Sequence, residues 1–320
     1  MKPKILITRK LPEKVIRYAK QYFQVEMWNS ETKPIPRNIL LEKVENKDGL
    51  LCLLTDNIDD EIFKCALNLK VIANLAVGFD NIEVNLAKKH NVIVTNTPGI
   101  LTETTADLSF GLLIATARRM FEANTYIREN KWKTWSPFQL TGMDIYKANM
   151  GIIGMGRIAR AFVKRAKGFN MNIKYFNRSR KLDVEEEDNI SFSSFDEILE
   201  TSDFICIFIP YSKDVHHLIS ATELKKMKKT SILINTARGG LIDEQALYNA
   251  LLNGEISGAG LDVFEQEPIS SDNPLLCLPN VVALPHIGSA SEQTRLKMAY
   301  QSLDNLHSVL YNNNPINEVN

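Results

Sequence analysis

MGIIGMGRIARAFVKRAKGFNMNIKYFNRSR, residues 150–180, decides how the chain is read. The apolar run MGIIG (150–154) predicts one strand and NIKYF (172–176) a second. Between them Ile158, Phe162 and Ala166 recur on one helical face. The turn into that helix reads Gly154-Met155-Gly156-Arg157-Ile158-Ala159, which fits G-x-G-x-x-G/A with alanine in the third place. Glycines there let the backbone turn tightly and approach a pyrophosphate, which the free N–H groups of a helix N-terminus then attract. The plainer alternative is a strand-helix-strand unit that binds nothing.

A dinucleotide fold usually ends its second strand in a carboxylate, about 20 residues after the glycines, which accepts hydrogen bonds from the ribose. This chain has Asn177-Arg178-Ser179-Arg180 there. A carboxylate would repel a 2′-phosphate, since charges about 4 Å apart near a surface interact by about 4 kcal/mol at an effective dielectric of about 20. Asn177 removes that repulsion, and Arg178 with the Ser179 hydroxyl turns it into attraction. The cofactor expected is therefore NADP(H), with NAD(H) second. A solvated basic turn is the other reading of these residues.

The same alternation recurs on both sides of this stretch. Apolar runs stand at KILIT (4–8), VEMW (25–28), GLLCLL (49–54), KVIANLA (70–76), NVIVTN (91–96), FICIFI (204–209), SILIN (231–235), SGAGLDV (257–263) and NVVALP (280–285). Helical patterns lie between them; Val15, Ile16, Ala19, Tyr22 and Phe23 mark the first such face. Near-continuous apolar strands separated by helices predict parallel sheets covered on both faces, here two doubly wound α/β units. Pro98-Gly99 interrupts the pattern ahead of a long helix, and a domain crossing is placed there. Residues 131–149, with Trp132, Trp135 and Pro137, read as an irregular excursion. Ser289-Ala290-Ser291-Glu292 fits a capping box before a final amphipathic helix through Leu296, Leu303, Leu306 and Leu310. The acidic run Glu185-Glu186-Glu187-Asp188 reads as a solvated face with no function.

Charge and composition narrow the class. The 320 residues carry 38 Lys+Arg against 38 Asp+Glu, a balance that offers no field for nucleic acid or a lipid surface. No run approaches the ~20 apolar residues of a membrane span. The opening MKPKILITRK has too short an apolar core for a signal peptide. Cys52, Cys65, Cys206 and Cys277 form no C-x-x-C pair, and Cys52 and Cys206 lie in apolar runs, as reduced core residues do. A cytoplasmic small-molecule enzyme without a metal site is expected.

Three later stretches are NTARGGLIDE (235–244), GLDVFEQEP (260–268) and LPHIGSAS (284–291). Together with GMGRIA they resemble the D-isomer-specific 2-hydroxyacid dehydrogenases, over essentially the whole chain. TNTPGILTETTAD and KWKTWSPFQLTGMD resemble the glyoxylate/hydroxypyruvate reductase branch. The resemblance implies a Rossmann-like dinucleotide-binding domain over residues 99–288. It also implies a discontinuous, flavodoxin-like substrate-binding domain of residues 1–98 plus 289–320. The implied reaction reduces a small 2-oxo acid to the D-2-hydroxy acid. His286 would be the proton donor, with Glu267 beside it, since a neighbouring carboxylate favours a charged imidazole. Arg238 would bind the substrate, helped by Ser289 and by the backbone N–H groups of Val77 and Gly78. For the cofactor the resemblance adds Thr105, Arg157, Ile158, Pro210, Thr236, Ala237, Asp262 and Gly288 to Gly154, Gly156, Asn177, Arg178 and Ser179. It further implies a homodimer in which Trp135 reaches the partner's substrate site. His90, His216, His217 and His307 lack such a setting and read as surface or cap residues. A 2-ketogluconate reductase shares these motifs, and the family also includes corepressor-like proteins that sense nucleotides.

Overall fold

A computed structural model describes residues 1–312 and 314–320 of the chain. The chain divides into two compact units, Met1–Leu101 with Ala290–Asn320, and Thr102–Ser289.

The first unit runs β1 (Lys4–Ile7), α1 (Glu13–Tyr22), β2 (Gln24–Met27), α2 (Arg37–Val44), β3 (Gly49–Cys52), α3 (Asp60–Cys65), β4 (Val71–Asn74), α4 (Val84–Lys89) and β5 (Ile93–Thr95). Every strand pair is parallel, in the order β2-β1-β3-β4-β5. This is the flavodoxin-like order, with its reversal between β1 and β3. GLLC and VIAN are buried at all four residues, as central parallel strands must be. Each such Leu, Ile or Val contributes about 1.5–3 kcal/mol by leaving water. The helix Glu292–Asn312 returns to this unit and buries Leu303 and Leu306. Its start differs from the predicted capping box: the Thr294 N–H donates to the Ser291 hydroxyl at 3.2 Å. The helix begins at Glu292, so Ser291 rather than Ser289 falls at the capping position. Along this helix Tyr18 donates to Asp304 at 2.6 Å, and the His307 ring stacks on Tyr311 with Tyr22 edge-on.

The second unit runs α5 (Thr102–Ala117), α6 (Met120–Arg128), β6 (Asn149–Ile153), α7 (Arg157–Lys167), β7 (Asn172–Phe176), α8 (Leu182–Asp188), β8 (Ser191–Phe192), α9 (Phe195–Thr201), β9 (Phe204–Ile207), α10 (Ala221–Lys226), β10 (Ile232–Asn235), α11 (Glu244–Leu252), β11 (Gly258–Leu261) and β12 (Val281–Ala283). Its sheet is parallel throughout, in the order β12-β11-β10-β9-β6-β7-β8. That is the Rossmann order extended by one strand, reversing between β6 and β9. The edge strand β8 escaped the sequence reading because two exposed residues carry no periodicity. Ser194 and Asp243 cap α9 and α11, and Ser220 with Glu223 forms a capping box on α10. Each such cap contributes about 0.5–2 kcal/mol. On α5, Phe110 meets Phe162 of α7 edge-on at 5.5 Å, and Arg165 reaches Glu103 and Asp107. By contrast α6 buries none of its residues, and 131–148 form no helix or strand.

Candidate active site

The glycine turn meets its physical requirements. Gly154 has φ +94°, and a Cβ there would stand 2.6 Å from the Ile209 side chain. Its N–H donates to the Phe176 carbonyl at 2.8 Å, tying the ends of β6 and β7 together. Gly156 is exposed at the N-terminus of α7, where no side chain caps the helix and an added Cβ would meet nothing within 4 Å. Uncapped N–H groups with clear space in front of them fit a pyrophosphate. Arg157 opens the helix exposed, Ile158 is half-buried, and Pro210 stands exposed just beyond β9.

The turn after β7 separates the two arginines. The buried Tyr175 hydroxyl accepts from the Lys181 N–H at 2.6 Å and donates to Glu185 at 2.8 Å. Arg180 binds both oxygens of Glu185, and this hydrogen bonding holds the Glu185 carboxyl below the usual carboxylate range. Asn177 closes the turn by donating to the Ser179 carbonyl at 2.9 Å. Arg178 and Ser179 remain exposed, and among the described residues Arg178 pairs with no carboxylate. Thus Arg180 is committed to the fold and Arg178 is available to a ligand. The acidic run is not merely solvated either: Glu187 pairs with Arg160 and Asp188 with Lys167.

Arg238, Glu267 and His286 follow β10, β11 and β12, three neighbouring strands, at their carboxyl ends. Asn235 braces the Arg238 turn, its amide donating to the Arg238 carbonyl at 2.8 Å while its oxygen accepts from the Ala237 N–H. The half-buried Arg238 guanidinium donates to the Ala237 carbonyl, and the Thr236 hydroxyl meets Ser109 of α5 at 2.7 Å. Gly239 is buried against the Phe264 backbone, where a Cβ would fall 1.8 Å from the carbonyl carbon. Only glycine lets the Arg238 turn lie this close to the segment carrying Glu267. From the other side the His217 N–H donates to the Gly240 carbonyl, and the His216 and His217 rings stack at 3.8 Å. These two histidines therefore brace the Arg238 turn, a role that no spacing in the sequence signals.

The Glu267 carboxylate accepts from the Phe264 N–H at 3.1 Å and from His286 Nδ1 at 2.6 Å. A carboxylate oxygen only accepts, so Nδ1 carries the hydrogen of that bond and Nε2 is left to exchange a proton with a ligand. His286 takes φ +52°, an uncommon conformation for a residue with a Cβ. Asp262, at the end of β11, secures it: its carbonyl accepts from the His286 N–H, and its two oxygens accept from Ile287 and Gly288 at 2.7 Å each. Burial pushes the Asp262 carboxyl up, opposed by those N–H groups and by His286. The resemblance gave Asp262 a cofactor contact; the structure shows the same carboxylate clamping the His286 turn. Gly288 lies beside Thr105 of α5, where a Cβ would come within 3.4 Å of the threonine methyl, and Ser289 is half-buried.

In the first unit Val77 and Gly78 lie half-buried in the loop after β4. Trp132 and Trp135 are 55% and 74% exposed in the irregular stretch of the second unit. Among the described residues no group of three or more His, Cys, Asp or Glu is placed to hold a metal ion, and no helix is long and apolar enough to cross a membrane.

A family model described as D-isomer specific 2-hydroxyacid dehydrogenase, NAD binding domain, matches residues 110–288. A glyoxylate reductase of Korarchaeum cryptofilum is 46% identical over 321 residues, covering 100% of this chain and 96% of its own length. A protein of Thermus thermophilus superposes with a TM-score of 0.92 at 40% identity, over 99% of this chain and 100% of that one. An NADPH-dependent glyoxylate/hydroxypyruvate reductase of Sinorhizobium meliloti, solved with NADP and malonate, gives 0.87 at 29% identity, over 100% and 97%.

Proposed function

The chain belongs to the D-isomer specific 2-hydroxyacid dehydrogenase family, and from that premise we propose that it reduces a small 2-oxo acid of the glyoxylate or hydroxypyruvate type with NADPH. The observation that carries this reading is the 2.6 Å bond between His286 Nδ1 and Glu267, in the unit that also holds the glycine turn. Reduction needs a hydride on the carbonyl carbon, a proton on its oxygen and a cation for the carboxylate. The dinucleotide would be held by the N-terminus of α7, with its 2′-phosphate on Arg178 and Ser179, and when bound it supplies the hydride. His286 Nε2 gives its proton to the carbonyl oxygen as charge gathers there. Glu267 orients the ring by accepting from Nδ1. Arg238 offers its guanidinium to the carboxylate and the developing alkoxide. Val77 and Gly78 offer backbone N–H groups to the carboxylate.

The preference for NADPH is supported by the exposed Arg178 beside an Arg180 already neutralised by Glu185. A homodimer is supported by the surface of α6 and the stretch after it. Ile127, Trp132, Trp135 and Phe138 are 60%, 55%, 74% and 85% exposed, a concentration of apolar area that marks an interaction surface. In that dimer Trp135 closes over the partner's substrate site.

Consumption of NADPH and NADH by the purified chain, with glyoxylate, hydroxypyruvate and 2-ketogluconate in turn, tests the proposal. Turnover of the first two with NADPH favoured is the expected result. Binding of NADPH without turnover of any 2-oxo acid would instead support a nucleotide-sensing role, and turnover of 2-ketogluconate alone would move the substrate.

A further inference from the structure

We propose that Asn74 and Asn96 are positioning residues, which hold the backbone N–H groups of Val77, Gly78 and Phe79 open as a preformed carboxylate cradle. The inference rests on the reading of Val77 and Gly78 as carboxylate-binding, and extends it to a third N–H and to the side chains that fix all three.

A trans peptide is planar, so a carbonyl and the N–H that follows it point in opposite directions. Three successive carbonyls in this loop are pinned. The Ala76 carbonyl accepts from the Thr97 N–H at 2.9 Å, that of Val77 from Asn96 Nδ2 at 2.8 Å, and that of Gly78 from Asn74 Nδ2 at 2.8 Å. The N–H groups of Val77, Gly78 and Phe79 are thereby turned the other way, and among the described residues none of them meets an acceptor. Consecutive N–H groups directed to one side form a concavity of partial positive charge, suited to an anion. Val77 and Gly78 are half-buried and Phe79 is 39% exposed, so a small ligand can reach them.

The donors that set this geometry are themselves fixed. Asn74 is the last residue of β4 and fully buried, and its amide also donates to Asn81 Oδ1 at 3.0 Å. Asn81 in turn donates to the carbonyls of Leu53 and Asp56, which anchors the loop to the end of β3. Asn96 is 8% exposed, with its N–H on the Asn317 carbonyl and its carbonyl accepting from Asn305. Buried polar groups are nearly always paired, and here the pairing goes entirely to the carbonyl side. Neutral amides suit both positions, because a lysine in either place would pin a carbonyl equally well but would add a buried charge.

The test compares glyoxylate with glyoxal, which presents the same aldehyde without a carboxylate. Asn74→Ala, Asn74→Asp and Asn96→Ala each remove one pinning donor, and the Asn96 variant covers the case in which Asn74 variants fail to fold. In folded variants KM for glyoxylate should rise by about 10–100-fold, the loss expected when a hydrogen bond to a charged group is weakened. The efficiency with glyoxal and KM for NADPH should stay unchanged, so the glyoxylate-to-glyoxal ratio collapses. Folded variants that lose both substrates equally, or that keep the wild-type ratio, overturn the positioning role. A wild-type enzyme with no preference for glyoxylate over glyoxal overturns the carboxylate reading of Val77 and Gly78 itself, and this proposal with it.

Discussion

In the second unit the candidate reactive groups we propose are side chains: Arg238, Glu267 and His286 at the carboxyl ends of β10 to β12, with Arg178 at the end of β7. In the first unit the loop after β4 presents main-chain N–H groups, and the residues that shape it are buried, neutral asparagines. Both loops leave a parallel sheet at the edge where such folds bind ligands. The difference teaches where chemistry must be encoded. Proton transfer needs a titrating group held at one distance, and only a side chain such as His286 supplies it. Holding a carboxylate needs only donors, and any sequence of residues supplies those once its peptide planes are fixed.

The sharpest way to break this comparison is to remove the titrating group. His286→Ala should lower kcat by about 100–10,000-fold, the usual range for a general acid, while the dissociation constant for NADPH stays put. Glu267→Gln keeps the hydrogen bond to Nδ1 but loses the charge, and should cost about 10–100-fold in kcat, a loss of about 1.4–2.7 kcal/mol of transition-state stabilisation. Steady-state kinetics beside fluorescence titration of NADPH reads both variants. A Glu267→Gln enzyme with wild-type kcat would make the 2.6 Å bond a structural contact only.

The same contrast explains what was legible in the sequence. Both parallel sheets could be read, because short buried runs such as FICI and ILIN, repeated between helical patterns, are what the central strands of a parallel sheet require. Arg238, Glu267 and His286 could be singled out as candidates because the resemblance is written in side-chain identities. The work of Asp262 on the His286 turn could not, since its partners are backbone N–H groups. Nor could the division of labour between Arg178 and Arg180, which depends on a buried Tyr175 hydroxyl placing Glu185. The edge strand β8 is a two-residue ladder of exposed side chains and the helix cap at Ser291 rests on one hydrogen bond, and neither leaves a trace in any periodicity.

Cofactor choice sharpens the side-chain half of the comparison. Arg178→Ala should lower kcat/KM with NADPH by about 10–100-fold, from loss of hydrogen bonds to a charged group, and leave NADH nearly untouched. Arg180→Ala is the control, since that guanidinium is already held by Glu185. Equal losses with both nucleotides in the Arg178 variant would return the turn to a solvated basic loop.

Trp135 offers a smaller effect. Trp135→Ala should raise KM for the 2-oxo acid by about 3–10-fold, as expected when part of an aromatic contact is lost, and leave KM for NADPH alone. Mixing Trp135→Ala with His286→Ala subunits tells whose site the ring serves. If it acts on the partner, one site of the mixed dimer carries both lesions and the other none, so activity returns with a near wild-type KM. Mixed dimers that keep the high KM of the Trp135 parent place the ring in its own subunit's site.

The smallest effect asks whether side chains of the first unit matter to anything but its stability. Tyr18 donates to Asp304 at 2.6 Å and touches Tyr300 edge-on at 5.3 Å. Its phenol is pushed up to about 12, first by that hydrogen bond and then by burial. A group whose pKa is raised on folding stabilises the fold in full below its unfolded value, about 10 for tyrosine. That contribution then fades as pH rises through about 12. Tyr18→Phe keeps the ring and removes the bond, which for a partly exposed pair is worth at most about 0.5–1.5 kcal/mol. Urea denaturation at neutral pH should therefore show a slightly less stable variant, and the gap from wild type should narrow between about pH 10 and 12. kcat/KM for glyoxylate should not change, because Tyr18 touches neither the loop after β4 nor the asparagines that hold it. A Tyr18→Phe enzyme with altered KM for glyoxylate would mean that α1 and the C-terminal helix shape that loop, and that the first unit's chemistry is not confined to its main chain.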